Sequence, residues 1–259
     1  MPTDPIFYAT AALAVILIGL SKGGLGGAMA LLGVPLLALV VPPVQAAAIL
    51  LPILIVMDWA SLWSWWKYSD SRTLLVMLPG GVIGVAIGWL TAAIVTENEI
   101  KLIVGIIAFV FVLRYAWQTF HARRTGTAVG ARPHRTAAGV FWGTVSGFTS
   151  FIAHAGGPPY QFYTLPLAQH PRLYTGTSVR FFAVVNLLKV IPYFMLGQFD
   201  AQNLRISAAL VPLAIVSTFA GAWLVHRMRP AIFYPIMYSL VFVTSIKLIW
   251  DGVEHIISG

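Results

Sequence analysis

Gly19-Leu20-Ser21-Lys22-Gly23-Gly24-Leu25-Gly26-Gly27 cuts through the first apolar stretch of the chain, about 6–41. His154-Ala155-Gly156-Gly157-Pro158-Pro159-Tyr160 cuts through a second, about 137–168. Both stretches are too long for one membrane crossing. Glycine pairs lack side-chain restraint and Pro-Pro lacks backbone donors, so each stretch is expected to form two short helices meeting at a break. The remaining apolar runs lie at about 44–66, 73–95, 100–120, 174–196, 204–225 and 231–250. Each is long enough to span a bilayer at 1.5 Å per residue.

Composition leads to the same class. Of 259 residues, 59% are hydrophobic and 9% charged, whereas a soluble domain carries roughly a quarter charged residues. The chain therefore reads as an all-α polytopic membrane protein with no separate solvated domain. It has no cysteine, which excludes disulfides, Cys-ligated zinc, iron–sulfur clusters and thiol nucleophiles. Its 16 Lys and Arg against 8 Asp and Glu sit mostly in short loops between apolar runs. That distribution suits membrane orientation and not nucleic-acid binding. The first run has no Lys or Arg before it and no polar cleavage region after it, so it is expected to be structural and not a secretory signal.

The two broken stretches begin two similar halves. Gly33-Val34-Pro35 resembles Gly157-Pro158-Pro159, and Asp58 falls opposite Asn186 when Pro43 is set against Pro171. Pro79, Gly88, Arg114 and Trp117 match Pro212, Gly221, Lys247 and Trp250 at one offset. The halves are residues 1–120 and 137–259, joined by a basic linker, 121–136, that holds Arg123, Arg124, Arg132 and Arg135.

Charge speaks to their relative direction. Lys67 and Arg72 outweigh Asp70 after one run, and Glu97 and Glu99 outweigh Lys101 after the next. In the second half Asp200 and Arg205 cancel, and Arg227 and Arg229 then follow. Opposite bias in equivalent loops is the pattern of inverted repeats, with the linker cytoplasmic and both termini outside. A parallel arrangement is the rival.

Ionisable residues inside apolar runs are costly and so are functional candidates. Asp58 is the one acid well inside such a run, a candidate counter-charge for Lys189 or a proton-linked carboxylate. Arg180, Asn186 and Lys189 share one run, with Asn186 and Lys189 on a common helical face. Arg180 points elsewhere, near enough to a helix end to snorkel, and is carried as a coupling or counter-charge candidate.

The breaks themselves are the second constellation. Helix starts leave N–H groups unpaired and present partial positive charge, which suits an anion. The expected oxyanion site comprises Lys22, Gly23, Gly24, Gly26, Gly27, His154, Gly156, Gly157, Tyr160, Asn186 and Lys189. The competing explanation for the glycines is close helix packing. His154 is read as a proton carrier, a donor to substrate or a helix-end cap. Trp63, Trp65, Trp66, Tyr68, Trp117 and Trp250 are read as an interfacial belt. No P-loop, catalytic set or metal-ligand cluster is present in the sequence, so no metal or cofactor is expected.

Gly147-Phe-Thr-Ser-Phe-Ile-Ala-His154-Ala-Gly156-Gly157-Pro158-Pro159 resembles the second-repeat signature of the TauE/SafE family of sulfite exporters. So do Gly176-Thr177-Ser178, Asn186-Leu-Leu-Lys189-Val-Ile-Pro-Tyr193 and Gly197. Ser21-Lys22-Gly23-Gly24-Leu-Gly26-Gly27, with Val34-Pro35 and Leu51-Pro52, is similar to its first-repeat counterpart. The resemblance covers nearly the whole chain. It implies a bacterial inner-membrane permease for a small sulfur-containing anion such as sulfite or an organosulfonate.

The leading expectation is a secondary transporter working by alternating access at the repeat interface. An anion channel, or a carrier of a different small anion, is the alternative; a channel would need a continuous polar path. An intramembrane enzyme lacks a nucleophile–base set, and a metal-cation carrier fits poorly with one buried acid. Expected partners are the oxyanion and membrane lipid, without nucleic acid. A homo-oligomer is left open.

Overall fold

The computed structural model describes residues 5–25, 33–92, 94–95, 97–125, 130–195 and 201–258, and among them the chain is helical with no strand. Each half follows one order: a long helix, a short helix, then three long helices. The first half runs α1 (Pro5–Gly24), α2 (Gly33–Leu37), α3 (Pro43–Ser64), α4 (Ser71–Thr91) and α5 (Glu97–Thr125). The second runs α6 (Thr136–Ala153), α7 (Gly157–Thr164) with a 3-10 turn at Leu165–Leu167, α8 (Pro171–Met195), α9 (Ala201–His226) and α10 (Pro230–Ser258). The six expected unbroken runs each form one helix, α3, α4, α5, α8, α9 and α10.

Among the described residues, α1, α4, α5, α9 and α10 contain stretches long and apolar enough to cross a membrane. The chain is a multi-pass membrane protein. Proline opens α1, α3, α8 and α10, where its missing N–H has no intrahelical partner to lose. Pro52, Pro79, Pro192, Pro212 and Pro235 stand inside helices, a placement membrane helices tolerate.

The breaks differ from expectation. α1 is one helix of 20 residues running through Gly19, Gly23 and Gly24, and α2 has five residues. The first stretch is therefore one long and one short helix, interrupted after Gly24, and the second repeats this with α6 and α7. Gly26, Gly27, Gly197, Asp200 and the linker residues 126–129 lie outside the described residues.

The chain forms two compact units cut differently from the sequence repeats. One is Met1–Leu74 with Pro171–Arg229, the other Leu75–His170 with Pro230–Gly259. In the first unit α1 lies along α9, and α3 packs on α8 and α9. Phe7, Ile18, Ile49, Leu50, Met57 and Ile206 are part of its core. In the second, α5 lies along α10, and α6 packs on α7 and α5. Each unit draws helices from both halves.

Glycine makes an equivalent seam in each unit. A Cβ on Gly23 would stand 2.1 Å from the carbonyl oxygen of Thr218 on α9, and one on Gly221 would stand 2.4 Å from that of Leu20 on α1. In the other unit a Cβ on Gly84 of α4 would stand 2.0 Å from the carbonyl oxygen of Thr144 on α6. One on Gly147 would stand 2.2 Å from that of Gly81. In both seams the first helix of one half lies against the fourth helix of the other. Gly88 and Gly221, matched by the repeat offset, take matched roles: Gly88 meets Phe151 of α6, and Gly221 meets Leu20 of α1.

Candidate functional site

α1 ends with backbone carbonyls that have no helical successor to bond them. Leu25 N–H donates to the carbonyl of Ser21 at 2.8 Å. The next three are received by side chains from elsewhere. Ser61 Oγ donates to the Lys22 carbonyl at 3.2 Å, Trp65 Nε1 to that of Gly23 at 2.6 Å, and Thr175 Oγ1 to that of Gly24 at 3.1 Å. Ser61 comes from α3, Trp65 is the residue that caps its C-terminal end, and Thr175 comes from α8. The α1 side of this break is thus a carbonyl end. Lys22, in the last turn, complements its negative dipole.

Beside this end lies a buried charge cluster of the first unit. The Lys22 ammonium forms an ion pair with Asp58, with 8% and 7% of their side chains exposed. Asn186 Nδ2 donates to the other Asp58 oxygen at 2.6 Å. Lys189, one turn further along α8 and 1% exposed, interacts electrostatically with both Lys22 and Asp58. The sequence offered Lys189 as the counter-charge of Asp58, but the direct ion pair is with Lys22. Two lysines, one carboxylate and one amide thus gather in a single buried cluster. Asp58 and Asn186, set opposite each other by the repeat offset, bond to one another, so α3 and α8 meet at a contact between the repeats.

Arg180 stands apart from the cluster. Its guanidinium donates to the carbonyls of Trp65, Trp66, Tyr68 and Gly176 at 2.5–3.2 Å. It caps the C-terminal end of α3, where a cation also suits the helix dipole. Arg172 donates to the His226 carbonyl at 3.0 Å. These contacts give both arginines a bracing role.

The second unit holds His154, Gly156, Gly157 and Tyr160. His154 ends α6 in the left-handed region, φ 50° and ψ 20°, so the helix-cap reading describes its backbone. Its N–H and that of Ala155 both point to the Thr149 carbonyl. Thr149 Oγ1 donates to the Ala155 carbonyl at 3.1 Å, and Ser146 Oγ to the Gly156 carbonyl at 2.7 Å. Of the first three residues of α7, Gly157-Pro158-Pro159, only Gly157 has an N–H, so this helix start is poor in donors. Tyr160 is fully buried in α7.

One aromatic departs from the belt. Trp63, Trp66, Trp117 and Trp250 are exposed, whereas Trp65 is fully buried. Its ring stacks on His226 at 3.9 Å between centroids while its N–H caps Gly23. The sequence did carry a signal for this: Asp58, Ser61 and Trp65 are spaced to share one helical face. The hydroxyls of Ser61, Thr175, Ser146 and Thr149 gave no comparable mark.

Apolar helices interrupted within bilayer-length stretches, with lysine, carboxylate and amide buried between them, make the build of a membrane transporter. The family model described as Sulfite exporter TauE/SafE matches residues 11–248, and the chain belongs to that family. No curated protein and no solved structure matches it.

Proposed function

We propose that this chain is a secondary transporter of the bacterial inner membrane for a small sulfur-containing oxyanion, such as sulfite or an organosulfonate. It works by alternating access at a contact between inverted repeats, with the linker cytoplasmic. The observation that carries this reading is the buried cluster of Lys22, Lys189 and Asn186 with a single carboxylate, Asp58. Buried charge is unfavourable unless balanced, and an anion beside two lysines and one carboxylate would favour the charged form of both lysines. A fully ionised oxyanion offers acceptors only, matching ammonium and amide donors. Family membership supports transport, and the repeated element order supports the pseudo-symmetry.

The test is thermal stabilisation of purified protein by sulfite, methanesulfonate, taurine, sulfate and chloride. A ligand that binds only folded protein raises its stability. Sulfite or a sulfonate is expected to stabilise most, and Lys189→Ala to weaken that binding by roughly 1.5–3 kcal/mol, the range for a charge-assisted hydrogen bond. Wild-type affinity in a well-folded Lys189→Ala protein would remove this lysine from the site.

A further inference from the structure

We infer that the second unit carries a binding site for an anionic phospholipid, built by Arg114, Arg132 and Arg135 around two adjoining cavities. The larger, about 470 Å³, is lined along α5 by Ile107, Val110 and Phe111 and then by Arg114 and Gln118. The step from Ile107 to Gln118 is about 16 Å of helix, apolar at one end and polar at the other. The smaller, about 400 Å³, shares Arg114 and Arg132 and adds Arg135. Arg132 is fixed there because its backbone N–H donates to the Pro166 carbonyl at 2.9 Å.

Charge bookkeeping between the repeats singles this place out. Lys247 of α10, the repeat counterpart of Arg114, forms an ion pair with Asp251 four residues on. Four residues beyond Arg114 stands Gln118, which cannot balance it. Among the described residues Arg114, Arg132 and Arg135 take part in no ion pair. Three guanidinium groups around one recess favour a phosphate, whose oxygens accept their paired N–H donors.

The apolar wall decides between a lipid and a soluble anion. The α5 span is the least covered by protein, with 22% of it buried against 39–44% for the four others. Acyl chains are what such a helix meets in a bilayer, and Trp142 and Tyr115 at the recess suit the interfacial level. A basic recess at the end of membrane helices, with an apolar approach, is suited to anionic headgroups.

Native mass spectrometry of the purified full chain tests this with phosphatidylglycerol, phosphatidylcholine of the same acyl chains, and glycerol phosphate. Phosphatidylglycerol is expected to bind in preference to phosphatidylcholine, and glycerol phosphate not to displace it at equal concentration. Arg132→Gln and Arg135→Gln change exposed residues and spare the packed helices. Each is expected to lower phosphatidylglycerol affinity by about fivefold, the effect of one basic residue at an anionic surface. Equal retention of the two lipids would overturn the proposal, as would unchanged affinity in the double variant. Displacement by glycerol phosphate would overturn it too, leaving a site for soluble phosphate.

Discussion

At the end of α1 the carbonyls of Lys22, Gly23 and Gly24 are taken by side chains from α3, its C-terminal cap and α8, elements of different repeats. At the end of α6 those of Ala155 and Gly156 are taken by Thr149 and Ser146, hydroxyls of α6 itself. The first break is therefore held by tertiary packing, and any shift of α3 or α8 disturbs it. The second is closed by its own turn. Charge is divided the same way: Lys22, Asp58 and Lys189 gather beside the first break, while the second carries hydroxyls, prolines and one histidine. At the offset that pairs Asp58 with Asn186, Ser61 pairs with Lys189, so one half supplies acid and hydroxyl where the other supplies amide and amine. The two halves share one element order, yet the buried lysines and carboxylate gather in one unit.

The largest effect that would break this comparison is expected at Asp58. Asp58→Ala leaves two buried ammonium groups without a carboxylate, and breaking a buried pair from one side costs roughly 3–5 kcal/mol. Thermal unfolding in detergent should show a sharp loss. Replacing both partners, Lys22→Met with Asp58→Leu, leaves Lys189 as the one buried lysine instead of two without a carboxylate, and should recover part of the stability. If Asp58→Ala unfolded like the parent protein, the cluster would be held by something other than charge balance.

Next in size are the glycine seams, where the two units should behave alike. Gly23→Ala drives a methyl toward the Thr218 carbonyl, and Gly84→Ala drives one toward the Thr144 carbonyl, at nearly equal approach. Backbone cannot yield as a side chain does, so each should cost about 1–3 kcal/mol, the range for overpacking. Matched losses in the two variants would support a shared seam. A large loss in one alone would show that the repeats pack by different means.

Legibility in the sequence followed the length scale of each feature. Spans were visible because twenty apolar residues are a composition signal, and the repeat because Pro43, Pro79, Gly88 and Arg114 recur at matched places. The offset sets Asp58 against Asn186 in sequence, and the two side chains bond to one another. The partner of Asp58 was not legible: it depends on how α1 lies against α3, and Lys22 is 36 residues away. The continuity of α1 through Gly23 and Gly24 was not legible, because glycine pairs resemble a helix break. In a membrane seam the absent side chain lets Gly23 and Gly24 remain helical against α9. Arg180 and Trp65 were marked by type, yet their acceptors are main-chain carbonyls, which carry no sequence signature.

The smallest expected effect sharpens the contrast at the second break. His154 holds φ 50°, a left-handed conformation that costs an L-residue roughly 1–2 kcal/mol and glycine nothing. Glycine also has more freedom to lose on folding, and His154→Gly gives up the contacts of the ring, so the gain is partly offset. The net change should be a stabilisation of no more than about 1 kcal/mol. His154→Ile, with a β-branched side chain at the same φ, should unfold earlier than the parent. Oxyanion affinity separates the two roles of this residue. If His154→Gly binds as the parent does, the second break acts as a backbone device and recognition belongs to the charged unit. A clear fall in affinity with unchanged or higher stability would bring the imidazole into the site and end the division of labour between the breaks.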